Sequence, residues 1–250
     1  MRFFVELAYK GTNYCGWQIQ PNALSIQQVV AEAFSTILQK QIEIVGCGRT
    51  DAGVHARQYF LHFDFEEQLP HNFISRINKF LPTDIALKQC FEVNPTIHAR
   101  FDALQRTYAY HIVFHKDPFL QQTAYYYPYQ KQLDYNKMQA AAALLMNYDA
   151  FFPFCKTNSD AKTMNCILYK SEWELLDNDR VVYHISANRF LRGMVRLIVG
   201  MCIHVGIGKT KLEDLVLALD QQKILLNSYS APAKGLFLTA VKYPIGINKE

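Results

Sequence analysis

Gly48-Arg49-Thr50-Asp51-Ala52-Gly53-Val54-His55-Ala56 is the stretch on which the reading of this chain turns. It sets one carboxylate, Asp51, beside a guanidinium and between two glycines, with no second acid nearby. Upstream, Ile42, Ile44 and Val45 read as a short strand. Downstream, Tyr59, Leu61, Phe63 and Phe65 alternate with His62 and Asp64, the period of a strand with one buried face. Asp51 is therefore expected in a loop between two strands, where rigid flanks hold a reactive group in place. The plainer reading of Thr50-Asp51-Ala52-Gly53 is an ordinary hairpin loop with a turn-forming Asp.

Outward from this loop, the chain reads as two broadly similar halves, residues 1–105 and 106–250. The first is expected to begin with a strand, Arg2–Tyr9, and a helix from Ser25 to about Gln39. That helix is expected to carry Ile26, Val29, Val30, Ala33, Phe34, Ile37 and Leu38 on one face, and Ser25 with Gln28 has the pattern of a capping box. After the strands flanking Asp51 come a short helix near Asn72–Phe80, stopped by Pro82, and a strand Ile85–Val93. In the second half, Thr107–Phe114 reads as a strand with Tyr108, Tyr110 and Ile112 on one face. A helix over 134–147, strands Ile167–Leu176 and Val181–Asn188, and a helix from about Leu191 to Val205 follow. Leu212–Gln221 reads as a further helix and Leu236–Tyr243 as the last strand. Strand, helix, strand, strand in each half predicts an α+β fold with mostly antiparallel sheets, helices on one face and a cleft between the halves. No Gly/Ser-rich linker separates them.

Half of the 250 residues are hydrophobic and 19% are charged, which excludes a disordered chain. The formal charge of +4 is uneven: residues 1–105 hold 9 Lys/Arg against 10 Asp/Glu, and residues 106–250 hold 17 against 12. That places the basic excess in the second half and points weakly to a polyanionic partner. Fifteen Tyr and seventeen Phe supply surfaces for base stacking, although most aromatics fill cores. None of the six cysteines forms a Cys-x-x-Cys pair, so free thiols are expected rather than a zinc site. The start of the chain lacks a signal-peptide pattern, and no apolar run approaches the length of a membrane span. The expected location is cytoplasmic, away from any membrane.

An aspartate that acts as a nucleophile must stay ionised in a pocket dry enough to hold its substrate. Burial alone favours the neutral acid, and a nearby arginine is the usual remedy. Arg49 stands two residues away. Arg196 is the second candidate, on the helix 191–205, where Arg189, Arg192 and Arg196 are expected to share a face by their spacing. Without further information that trio reads as a solvated basic edge. Gly208-Lys209-Thr210 imitates the end of a phosphate loop, but Ile203 stands where its glycine is needed and a helix precedes it. His111 and His115 have no accompanying Glu, so they do not make a metalloprotease helix. His55, beside the glycine turn, reads as structural.

The nine-residue loop resembles the nucleophile loop of the tRNA pseudouridine synthases of the TruA family, and the resemblance runs nearly end to end. Tyr14-Cys15-Gly16-Trp17-Gln18 is close to the family's Tyr-x-Gly-Trp-Gln. His98-Ala99-Arg100-Phe101 followed by Arg106-Thr107-Tyr108-Ala109-Tyr110, the segment Asn188–Arg196 ending in Met-Val-Arg, and Gly235-Leu236-Phe237-Leu238 also match. Ala150-Phe151-Phe152-Pro153-Phe154 departs from it, standing where the family has an Asp-Phe-Thr-Ser-Phe-like stretch.

The resemblance implies an isomerase that converts uridine to pseudouridine at positions 38, 39 and 40 of the tRNA anticodon stem-loop. It makes Asp51 the nucleophile, attacking C6 of the ring or C1′ of the ribose. It has Tyr108 stack on the target base, Arg196 pair with Asp51, and Arg49 contact RNA and fill the space a flipped nucleotide leaves. It implies a homodimer with one tRNA touching both subunits, and neither a metal nor an organic cofactor. Two other classes remain in view: an idle tRNA-binding module that keeps the scaffold, and a hydrolase using Asp51 with a metal. The presence of Arg49, Asp51, Tyr108 and Arg196 counts against the first, and the lack of a second acid or His partner near Asp51 against the second.

Overall fold

The structure is a computed structural model that describes residues 1–156, 162–177 and 179–244. The described residues form nine strands and five α-helices, an α+β fold. They divide into two compact units: Met1–Gln105 together with the chain from Phe237 onward, and Arg106–Leu236.

In the first unit the strands are β1 (Arg2–Tyr9), β2 (Val45–Gly46), β3 (His55–Asp64) and β4 (Ile85–Val93), joined by β9 (Leu236–Lys242) from the end of the chain. Their order is β4-β1-β3-β9, with β2 on β3. β1 runs antiparallel to β3 and β4, while β3 and β9 are parallel, pairing His55 with Phe237 and Ala56 with Leu238. The helices are α1 (Ile26–Leu38) and α2 (Phe73–Phe80). Phe34 of α1 meets Phe63 of β3 and Phe73 of α2 edge-on, at 5.1 and 5.4 Å between centroids, and Phe3 stacks on Phe63. This aromatic seam holds the helices to the sheet.

Strand β3 is covered on both faces, which its alternation does not foretell. His62, expected on an open face, is 3% exposed, and Phe60 on the same face is 8% exposed. Tyr243 meets Phe60 edge-on, and His98 and Phe4 pack on His62. The residues after β4 and after β9 thus form the second cover. Ile42 and Ile44 are buried as expected but take no ladder bonds, so the strand before the loop shrinks to Val45–Gly46. At the start of α1, Ser25 Oγ accepts from the Gln28 N–H at 3.2 Å. The Gln28 side chain donates forward to Glu32 instead of back to Ser25, so the capping box is only half made.

In the second unit β5 (Gln105–Val113), β7 (Leu168–Asp177) and β8 (Arg180–Ala187) run in the order β5-β8-β7, all antiparallel. A two-residue strand that periodicity cannot reveal, β6 (Tyr125–Tyr126), lies parallel to β5. Helix α3 (Tyr135–Leu144) is tied to the sheet through a hydroxyl relay: Ser171 Oγ of β7 shares a 2.7 Å hydrogen bond with the Tyr183 hydroxyl and donates to Ala142 O at 2.7 Å. Helix α4 (Met194–Gly206) is buried nearly all round rather than along one stripe, because the segment Leu225–Ala231 lies over its other side. Helix α5 (Leu212–Asp220) follows.

Candidate active site

Asp51 opens a four-residue turn. The Val54 N–H donates to Asp51 O at 3.1 Å, and Gly53, the third residue, sits at φ +77°, where a side chain would be strained. The plain turn reading and the functional one therefore describe the same residue. Asp51 is half-buried and Arg49 exposed.

What fixes this turn is the segment 11–17. Asp51 bridges Gly16 through the backbone, the Trp17 N–H donates to Thr50 O at 3.2 Å, and the Gly53 N–H donates to Tyr14 O at 3.3 Å. Gly16 holds φ +104° with its Cα against the Thr50 carbonyl, so a β-carbon there is excluded both by strain and by space. From below, the Tyr9 and Thr50 hydroxyls share a 2.9 Å hydrogen bond, and the Tyr59 hydroxyl donates to Gly48 O. His55 is 1% exposed, accepts the Gly11 N–H on Nδ1 at 3.0 Å and packs on Phe237 at 4.6 Å. It is structural, as its place beside the turn suggested. The Tyr14–Gln18 motif marked these supports in the sequence without revealing what they do.

The second unit presents the other candidates. Tyr108 lies on β5 opposite Ile185 and is half-buried, its ring edge-on to Phe190 at 5.2 Å. Tyr110 and Ile112, further along the same face, are fully buried and belong to packing. Tyr108 thus stands at the less buried end of this row, while its neighbours fix the strand.

The arginine trio does not share a helix face. Helix α4 begins at Met194, and the turn before it, with the Met194 N–H on Leu191 O, places Gly193 at φ +72°. Arg189 and Arg192 precede that break, and only Arg196 stands on the helix. Leu191 continues the apolar spacing, which is why the sequence alone extends the helix too far. Arg196 is half-buried and locked in both directions to Ala231: its Nε donates to Ala231 O at 2.6 Å, and the Ala231 N–H donates to Arg196 O at 3.0 Å. The bond through Nε fixes the direction of the guanidinium fork. Ala150–Phe154, the stretch that departs from the family pattern, packs inward through Phe151, Pro153 and Phe154 and is tied to Gln222 on both sides.

One unit thus offers a carboxylate on an over-determined turn, and the other a half-buried tyrosine and an oriented arginine. A protein-family model described as tRNA pseudouridine synthase matches residues 142–244. Over nearly the whole chain there is close likeness to proteins named tRNA pseudouridine synthase A. That of Bacteroides fragilis is 45% identical, covering 97% of this chain and 96% of the relative. That of Porphyromonas gingivalis is 44% identical, covering 97% of each. That of a Picosynechococcus species is 38% identical, covering 97% of this chain and 89% of the relative. The chain is a pseudouridine synthase by class. It belongs to the tRNA pseudouridine synthase A family.

Proposed function

We propose that the protein isomerises uridine to pseudouridine in the tRNA anticodon stem-loop, at positions 38, 39 and 40, with Asp51 as the nucleophile. Membership of the family supports the reaction and the tRNA substrate. The observation that carries the assignment of Asp51 is its turn, held by Gly16, Trp17 and Tyr59 from three sides, as preorganised nucleophiles require. The bond from ribose C1′ to N1 breaks, the uracil rotates, and a bond forms from C1′ to C5. The C5 proton leaves to solvent and N1 gains one, so the base is isomerised without any change of oxidation state.

Tyr108 stacks on the extruded uracil, which must leave its own stack at a cost of a few kcal/mol. Arg196 supplies the charge that keeps Asp51 ionised while water is excluded, and Arg49 contacts the RNA and fills the vacated space. In this reading Asp51 and Arg49 of the first half and Tyr108 and Arg196 of the second serve one uridine, in a cleft between two similar halves, 1–105 and 106–250. The protein works as a cytoplasmic homodimer with one tRNA touching both subunits. No described helix is long and apolar enough to cross a membrane.

The test is Asp51→Asn, measured by tritium release from uridine-labelled unmodified tRNA alongside filter binding. Conversion is expected to vanish while affinity changes little, since phosphate contacts supply most of the binding. Turnover within about tenfold of the parent, or about 1.4 kcal/mol of barrier, removes Asp51 from the role.

A further inference from the structure

Arg196 is held by a strap. Residues 229–232 cross α4. At its start the Tyr229 carbonyl lies against the Cα of Gly200, where any β-carbon would collide with it. The Tyr229 ring stacks on His204 at 5.5 Å, and its hydroxyl shares a 3.1 Å hydrogen bond with that of Tyr125. In the middle, Ala231 exchanges two hydrogen bonds with Arg196. At its end the Tyr110 hydroxyl donates to Pro232 O at 2.7 Å, and the edge of the Tyr110 ring meets Gly235.

Tyr110 is fully buried, and burial raises its phenol well above the ordinary range, so it stays a neutral donor at every working pH. Pro232 O and Ala231 O are successive carbonyls, and the planar peptide and the proline ring fix two of the three torsions between them, leaving ψ of Pro232 as the only soft one. A displacement of the Pro232 backbone, as opposed to a turn about that ψ, is therefore passed to the Ala231 carbonyl that Arg196 Nε depends on. Strand β5 then carries two roles two residues apart: Tyr108 toward the base, and Tyr110 toward the strap.

We infer that Tyr110 is a positioning residue for the isomerisation, acting on the Arg196 guanidinium through the Tyr229–Pro232 strap. The inference rests on the reading of Arg196 given above. It goes beyond that reading by assigning a buried phenol, otherwise a packing residue, to the rate of the chemical step. A phenol that merely satisfied a carbonyl would contribute to stability alone.

Tyr110→Phe keeps the ring and removes only the hydroxyl. Tyr135→Phe is the matched control, since it deletes a phenol bonded at the same 2.7 Å to a backbone carbonyl, that of Trp173. Each is made alone and, with Tyr110→Phe, also on an Arg196→Met background. Single-turnover rate and KM are measured on the anticodon stem-loop RNA, with thermal unfolding in parallel. Tyr110→Phe is expected to lower the rate about tenfold with KM changed by less than about twofold, and to add nothing on the Arg196→Met background. Tyr135→Phe is expected to lose thermal stability only. Equal behaviour of the two phenol variants, a change confined to KM, or a full additive loss without Arg196 overturns the inference while leaving the role of Arg196 standing. If Arg196→Met itself reacts like the parent, there is nothing to position and both readings fall.

Discussion

The indole of Trp17 lies on the ring of Tyr59, with centroids 4.1 Å apart and planes 28° from parallel. Trp17 also donates its backbone N–H to Thr50 O, and Tyr59 its hydroxyl to Gly48 O. The two stacked residues therefore grip the loop at two points on the N-terminal side of Asp51. Tyr59→Phe keeps the stack and releases Gly48. It is expected to cost about 0.5–1.5 kcal/mol of stability and to slow turnover. Trp17→Leu, which removes the stack itself, is expected to cost more on both counts. Urea unfolding with single-turnover kinetics checks this; equal turnover in parent and Tyr59→Phe would mean that the loop keeps its shape without that bond.

Tyr108→Phe is expected to retain stacking on the target base. Tyr108→Ala is expected to lose roughly 1–3 kcal/mol, or about 5- to 150-fold in rate. Steady-state kinetics on the stem-loop RNA distinguish the cases. Equal harm from Phe and Ala makes the hydroxyl the essential part, and no harm from either returns Tyr108 to packing against Phe190.

Arg196→Met is expected to cripple activity far more than Arg192→Met. If Arg196 is the countercharge for Asp51, its removal favours the protonated, non-nucleophilic acid. Activity of Arg196→Met then recovers in part as pH rises. Arg192 is exposed and lies before the helix. Its replacement is expected to leave the pH profile of the parent and only weaken the salt dependence of tRNA binding. A flat pH profile for Arg196→Met, or equal loss in both variants, would assign the basic segment to RNA binding as a unit.

His62 sets a pH dependence of stability. Burial lowers it from 6.5 to about 4, with Arg2 and His98 adding to the effect, while its Nδ1 accepts the Ala99 N–H at 3.1 Å. The unfolded chain takes up this proton near 6.5 and the folded one near 4, so the unfolded state binds more protons between these values. Stability from this residue is complete above the upper value and is lost as pH falls toward the lower, with a slope of up to about 1.4 kcal/mol per pH unit. His98 is lowered too and acts in the same direction. Urea unfolding between these pH values is expected to show the slope in the parent. His62→Asn, which offers an amide oxygen to Ala99 without titrating, is expected to flatten it.

Regular alternation and clear stops made parts of the fold legible in the sequence. Arg2–Tyr9 and Ile85–Val93 take the bounds read from their apolar pattern, the latter starting just after Pro82. Apolar spacing reports burial rather than pairing, so Ile42 and Ile44 were read as strand although they only bury their side chains. The start of α4 was misread because the spacing runs on through Leu191, while the break is made by the backbone conformation of Gly193. Asp51 was legible because its turn is local. Its supports were not, since Trp17 reaches Thr50 and Tyr59 reaches Gly48 across stretches with no sequence relationship. The same holds for Arg196 and Ala231, which meet across 35 residues. Gly208 does not form a phosphate loop: it sits at φ +73° just beyond the end of α4, with Lys209 and Thr210 donating back to His204 O.

The parallel pairing of β3 with β9 also orders events in time. His55 and Ala56, the residues that close the Asp51 loop, take Phe237 and Leu238 as their neighbours, and those belong to the last strand among the described residues. A nascent chain therefore carries Asp51 from early in its synthesis yet lacks the backing of its turn until the whole of Arg106–Leu236 has been made. Completion of the Asp51 loop comes after translation of the second unit, and a chain truncated before Phe237 retains the acid without the strand that backs its turn.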